Sequence, residues 1–186
     1  MFKRLPHHVG IIPDGNRRWA SQRGMEKREG YASGVAPGLQ LCDLMLEHGI
    51  GEATIYGFTR DNIKRARDQR DAFTQACIQV VKKLEHQDVS LLVVGNTQSA
   101  AFPQELLPYA NQRVCFGQGR INLNLLINYD WEWDLKTALT NEGRIASAAI
   151  PRIDLLIRWG GRRRLSGFLP VQSVYADIHV IDDYWP

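Results

Sequence analysis

The stretch His8-Val9-Gly10-Ile11-Ile12-Pro13-Asp14-Gly15-Asn16-Arg17-Arg18-Trp19-Ala20 decides the fold of this chain. Its first half is a short apolar run closed by Pro13. A run of that length bounded by proline reads as a buried strand. At Asp14 the character changes. An aspartate just beyond a strand can ligate Mg²⁺, which takes few carboxylates and leaves other positions to water and phosphate oxygens. Gly15 lets the backbone come close to a ligand. The amides of Gly15, Asn16, Arg17 and Arg18 fall at a predicted helix start, where unpaired N–H groups and the helix dipole favour an anion. Alone, Asp14-Gly15-Asn16 reads better as a helix cap in a turn. The two arginines and Trp19 behind it shift the balance toward a ligand site.

Outward from this stretch, strand and helix patterns alternate. Strands are expected at 8–13, 53–58, 89–95, 121–128, 153–158 and 177–181. Helical patterns fall at about 30–48 (closed by Gly49), 68–86, 103–109 and from 133 to 139. This order predicts an α/β fold with a single, mostly parallel sheet of about six strands flanked by helices. No linker, repeat or low-complexity tract divides residues 1–186, so one domain is expected. In such sheets ligands bind beyond the carboxyl ends of the strands. The polar residues gather there: Asp14-Gly15-Asn16, Thr59-Arg60-Asp61-Asn62, Gly95-Asn96, Asn128-Tyr129-Asp130 and Arg158-Trp159-Gly160-Gly161.

Two of these tips carry further chemistry. In Arg158-Trp159-Gly160-Gly161-Arg162-Arg163-Arg164-Leu165-Ser166, the paired glycines can shape a backbone nest for an anion. Arg158, Arg164 and the Ser166 hydroxyl can grip a diphosphate, arginine holding two oxygens at once. Four arginines around one turn repel one another unless something negative is bound. In Phe58-Thr59-Arg60-Asp61-Asn62-Ile63-Lys64-Arg65, Asn62 can donate to phosphate oxygens and Arg65 can neutralise them. A capped turn explains that segment equally well.

Composition narrows the classes. The chain has 186 residues, 44% hydrophobic and 23% charged, with a net charge of +3. That is ordinary for a globular protein and too weakly basic to single out nucleic acid, which is not expected as a partner. No apolar run is long enough to span a membrane, and Met1–His8 has basic residues without an apolar region behind them. Cys42, Cys77 and Cys115 suggest neither a disulfide framework nor a zinc site. A reducing cytoplasm fits. There is no P-loop and no nucleophile elbow, and the five histidines lack metal spacing.

Together, in this order, the segments at 8–20, 55–62, 121–129, 154–161 and 164–177 resemble the cis-prenyltransferases, the family that includes undecaprenyl diphosphate synthases. The resemblance implies condensation of an allylic diphosphate with isopentenyl diphosphate, dependent on Mg²⁺, to give a cis-polyprenyl diphosphate. It implies that Asp14 handles the metal and the leaving diphosphate and that Asn62 assists at the reacting centre. The amides of Gly15, Asn16, Arg17 and Arg18, with the Arg18 and Arg65 side chains, fall to the allylic diphosphate; Lys27 and Tyr31 stand near the diphosphate, and Trp19 and Thr59 are among the implied substrate-binding residues. Arg158, Arg164 and Ser166 fall to the homoallylic diphosphate, and Asp177 stands where the family has a glutamate metal ligand. An apolar tunnel between the sheet and the helices at 38–48 and 68–86 would hold the tail. A homodimer is implied, with peripheral membrane contact through the product.

The chain departs from the family pattern in places. Tyr31 stands for a histidine, Lys27 for an arginine, Arg17 for a glycine, Ile63 for a tryptophan, Ala66 for a proline, Trp159 for a threonine and Arg162 for a glutamate. Gly167 and Pro170 alter the segment after Ser166. The stretch between Leu135 and Arg152 is short, and the family's terminal helix and Arg-x-Gly tail are not in this sequence. Two alternatives follow: a short-chain or head-to-middle (lavandulyl-type) enzyme, and a non-catalytic partner subunit.

Overall fold

Seven strands share one sheet in the computed structural model, which describes residues 5–186; the remainder of the basic N-terminal stretch, residues 1–4, lies outside the described residues. The strands are β1 (His8–Ile12), β2 (Glu52–Tyr56), β3 (Val89–Val94), β4 (Val114–Cys115), β5 (Ile121–Leu126), β6 (Leu155–Arg158) and β7 (Asp177–Val180). Their spatial order is β4-β3-β5-β2-β1-β6-β7. All neighbours run parallel except β4, which pairs antiparallel to β3 at one edge. The expected mostly parallel sheet is borne out, and β4 adds one strand to the six expected. Two residues carry no period, so sequence pattern cannot show such a strand.

The helices are α1 (Asn16–Gln22), α2 (Glu29–Ser33), α3 (Val35–Glu47), α4 (Arg67–Leu84) and α5 (Trp131–Thr137), with short 3-10 turns at Arg60–Lys64 and Gln104–Tyr109. The single helix expected at 30–48 is two, broken at Gly34. Pro37 lacks an N–H and is at home only in a helix's first turn, so α3 starts afresh just before it. α3 and α4 cover one face, where Val9 and Ile11 of β1 meet Cys42, Met45, Cys77, Val81 and Leu84. The other face packs Ile12, Leu126 and Leu156 against Phe168, Leu169 and Ile150. Near-continuous apolar strands follow from burial on both faces.

On that second face the short 135–152 segment is anchored by Asp134. Its buried carboxylate accepts from the Tyr129 hydroxyl at 2.7 Å, the Ser147 amide at 2.8 Å and the Ser147 hydroxyl at 2.6 Å. Three donors offset the cost of burying a charge.

β1 lies between β2 and β6. The connections leaving β1 and those feeding β6 therefore diverge to opposite sides, which opens a crevice at the carboxyl end of β1.

Candidate diphosphate-binding cleft

The crevice is a cleft of about 630 Å³ at the tips of β2, β1 and β6. Asp14 sits at its centre. Its Oδ1 accepts from Arg18 at 2.9 Å and its Oδ2 from Arg158, also at 2.9 Å. Arg18 is held in place by α1, one turn on from Asp14, and its guanidinium also stacks 4.4 Å from the Tyr184 ring centroid. Arg158, the last residue of β6, has a side chain only 4% exposed. It donates further to Ser166 Oγ at 2.8 Å and to the Arg164 carbonyl. The β6 tip is thus an arginine aimed at Asp14 and backed by the loop that carries Arg164 and Ser166.

Two glycines make this approach possible. Gly15 has φ 131°, and a Cβ there would lie 2.7 to 2.8 Å from Tyr184 and Trp185. Gly160 has φ 87°, and a Cβ there would lie 2.8 Å from Arg18 and 2.9 Å from the Asp14 carbonyl. Glycine alone takes such backbone without strain or clash. The Trp185 amide donates to the Asp14 carbonyl at 3.1 Å, so the end of the chain closes over the same turn.

The β2 tip supplies the second wall. Asn62 is 7% exposed, and its Oδ1 accepts from the Thr59 amide at 3.0 Å. Its side-chain NH₂ is the group left to serve the cleft. Arg65 donates to the Tyr31 hydroxyl at 2.7 Å, and Tyr31 stacks on Phe73 with ring centroids 4.6 Å apart. Burial pushes the Arg65 guanidinium below its ordinary range, opposed by Tyr31, and pushes the Tyr31 hydroxyl up, opposed by Arg65 and Arg17.

The structure brings Asp14, Gly15, Asn16, Arg17, Arg18, Lys27, Tyr31, Thr59, Asn62, Arg65, Arg158, Arg164 and Ser166 to this one cleft. Six cationic side chains line it against two carboxylates, Asp14 and Asp61. Trp19 does not line it; the Arg23 guanidinium covers its ring at 4.2 Å. Asp177 is also elsewhere. It opposes Leu155 at the amino end of β6, whereas the cleft lies beyond Arg158 at the carboxyl end. Within one chain the strand register therefore sets Asp177 apart from Asp14. The β3 tip, Gly95-Asn96, faces a separate cavity of about 860 Å³.

Sequence reasoning missed Tyr56 and Tyr184. Tyr56 ends β2 and donates to the Ser166 carbonyl at 3.1 Å, tying the β2 tip to the β6 loop. Its place as the last strand residue before Gly57 was the available signal. Nothing local marks Tyr184.

Among the described residues no group of three or more His, Cys, Asp or Glu side chains could cage a metal. Mg²⁺ does not need one, since it binds through one or two carboxylates and substrate phosphates. Asp14 fits that mode. Its side chain is 32% exposed to the cleft, and two arginine contacts leave carboxylate lone pairs free.

Comparison with known proteins places the chain in a family. The family model of putative undecaprenyl diphosphate synthases matches residues 12–186. A ditrans,polycis-undecaprenyl-diphosphate synthase ((2E,6E)-farnesyl-diphosphate specific) of Pasteurella multocida is 30% identical, the alignment covering 98% of this chain and 86% of that protein. An isoprenyl transferase of Prochlorococcus marinus is 30% identical over 98% of this chain and 78% of its own. Lavandulyl diphosphate synthase from Lavandula x intermedia, solved in complex with dimethylallyl diphosphate, superposes with a TM-score of 0.78 over 96% of this chain and 87% of that one. At 21% identity that likeness speaks for the fold alone. The chain belongs to the undecaprenyl diphosphate synthase family of cis-prenyltransferases. Its class of activity is prenyl transfer.

Proposed function

We propose that the cleft binds an allylic diphosphate and isopentenyl diphosphate side by side and joins them. The observation that carries this reading is Asp14 bridged between Arg18 and Arg158, one carboxylate set between two cationic arms. Arg17, Arg18 and Lys27 come from α1 and the loop after it, Arg65 from the β2 tip, and Arg158, Arg164 and Ser166 from β6 and the loop behind it. Each arm suits one diphosphate, with arginine giving paired donors. α1 is a single short helix of 7 residues, so its dipole adds less than these side chains.

In the reaction the C–O bond of the allylic diphosphate breaks and the diphosphate leaves with both electrons. The alkene of isopentenyl diphosphate forms the new C–C bond, and a proton lost from the adjacent carbon gives the cis double bond. Negative charge grows on the departing diphosphate, where Arg18 and Arg65 stabilise it. Asn62 orients the reacting ends through its NH₂. Mg²⁺ held by Asp14 would supply further neutralisation of the leaving group. The test is diphosphate release and product mass with both substrates, with either one omitted, and with the metal chelated. Release without isopentenyl diphosphate at the full rate would sink the condensation reading.

The oligomer is read from exposed apolar side chains beside the edge strand β7. Val171, Val174, Tyr175 and Ile178 are 50%, 64%, 75% and 51% exposed. A second copy covering them fits a homodimer. Light scattering on Val174→Asp and Ile178→Asp proteins tests it. Among the described residues no helix is long and apolar enough to cross a membrane. All three cysteines are free, which fits a cytoplasmic site of action, with membrane contact only through the product's tail.

A further inference from the structure

Directly beneath the cationic cleft lies a second, apolar cavity of about 90 Å³ between the sheet and helices α3 and α4. Tyr31, Tyr56, Gly57 and Phe73 line both spaces, so the small cavity opens into the large one. Its wall is mostly apolar, with Cys42 and Cys77 buried in it. A charged chamber opening onto an apolar one is complementary to an amphiphile with a diphosphate head and a hydrocarbon tail.

The cavity is shallow toward the far end of the sheet and of helices α3 and α4. From the sheet it reaches Ile11, Ile55 and Leu125. The next inward residues of those strands, Val9, Ala53 and Leu123, do not line it and are 4%, 0% and 0% exposed. From the helices it reaches Cys42 and Val80, one turn short of Met45 and Leu84. Met45 and Leu84 are themselves buried, at 6% and 0% exposure. Below this level the layer is solid core, close-packed and without room for a chain. An apolar cavity of about 150 Å³ takes one benzene molecule, so the present one holds about one five-carbon unit. A long polyprenyl tail needs on the order of ten times that space.

We propose that this chain is a short-chain enzyme, its tail cavity accepting dimethylallyl or geranyl diphosphate in preference to farnesyl diphosphate, with Met45 and Leu84 as the floor that stops elongation. The inference rests on the cleft being the diphosphate site. It also departs from the farnesyl specificity in the name of the Pasteurella relative.

The full chain is incubated with Mg²⁺, isopentenyl diphosphate and each of dimethylallyl, geranyl and farnesyl diphosphate in turn. Rates and product masses are then compared. Expected is a kcat/KM at least about tenfold higher for dimethylallyl or geranyl than for farnesyl diphosphate, with no product longer than farnesyl length. Met45→Ala removes the floor, and Val80→Ala widens the half-buried wall with less risk to folding. Each folded variant, checked by circular dichroism, should extend the longest product by one unit or more. A wild-type preference for farnesyl diphosphate, long products from the wild type, or folded variants with an unchanged product range would each overturn the assignment. Failure of the parent reading looks different: no allylic substrate of any length is turned over. Titration calorimetry still decides the tail in that event. Tighter binding of dimethylallyl than of farnesyl diphosphate sustains the short cavity, and the reverse order overturns it.

Discussion

Arg158 reaches Asp14 Oδ2 at 2.9 Å from one guanidinium nitrogen and Ser166 Oγ at 2.8 Å from the other. The same side chain therefore fixes the carboxylate at the β1 tip and the loop after β6. Of the pair, Arg158 is almost wholly buried and Asp14 about a third exposed. Asp14 thus holds two arginines apart while leaving its own open edge to the cleft.

Asp14→Ala consequently has opposite effects on binding and on turnover. Removing one of two carboxylates from a cleft with six cations raises its positive potential, so inorganic diphosphate without Mg²⁺ binds more tightly than to wild type. With Mg²⁺ present, turnover falls by about a thousandfold, because charge on the leaving group goes unmatched. Stability falls by about 1–2 kcal/mol, less than for a fully buried pair, since Arg158 keeps Ser166 and Asp14 is part-solvated. Calorimetric titration with diphosphate, a turnover assay and urea unfolding read the three effects separately.

Tyr31→Phe keeps the ring stacked on Phe73 and removes the hydroxyl that accepts from Arg65. Arg65 then has more freedom and meets the diphosphate less well aligned. Losing a hydrogen bond to a charged group costs about 1.5–3 kcal/mol at most, so kcat/KM drops about tenfold or somewhat more. Thermal stability also falls, by less than a core truncation costs, since the hydrogen bond to Arg65 is lost while the stacking on Phe73 is retained. Tyr31→His restores an acceptor at that position and recovers most of the lost rate. Steady-state kinetics on both variants, beside their melting curves, make the comparison.

Much of this site is legible in the sequence because each β1, β2 and β6 tip combines an apolar strand with a change to polar residues at its end. Asp14, Asn62 and Arg158 are all placed by that rule, and the parallel order brings their tips together. What is not legible depends on contacts far apart in the chain. Trp185 bonds to the Asp14 carbonyl and Tyr184 stacks under Arg18, and neither has a local pattern. Asp177 shows the converse. Its motif points to the site, but the β6–β7 register sets it at the far end of the strands. The two-residue β4 and the break at Gly34 fall below the length over which periodicity speaks.

Gly160→Ala tests the close approach at the β6 tip. The left-handed backbone costs an alanine about 1–2 kcal/mol, and its Cβ would also meet Arg18 and the Asp14 carbonyl. Gly143→Ala is the matched control. Its φ is 78°, yet no atom lies within 4 Å of the added Cβ. Both variants lose the backbone share of stability, whereas only Gly160→Ala loses turnover. Unfolding midpoints and initial rates measured on the pair separate strain from displacement of Arg18. Equal loss of rate in both would refute the specific contact.

His8 makes stability depend on pH at the end of the sheet away from the cleft. Its Nδ1 faces the Arg152 carbonyl at 3.0 Å and so donates; its Nε2 lies 2.8 Å from Thr54 Oγ1 and accepts. Thr54 Oγ1 in turn accepts from Asn124 at 3.0 Å, which leaves the hydroxyl proton for His8. A second proton on the ring would oppose that arrangement. Burial lowers the His8 pKa below its ordinary 6.5, against the nearby carboxylates of Glu52 and Asp154, which raise it. The folded state therefore binds fewer protons than the unfolded state between the folded pKa and 6.5. Stability is complete above 6.5 and falls as pH drops through that window toward the folded pKa. Melting temperatures from pH 7.5 down to about 5 should decline in wild type and decline less in His8→Gln, whose neutral amide does not titrate. Equal slopes in the two proteins would place the pH dependence on other groups.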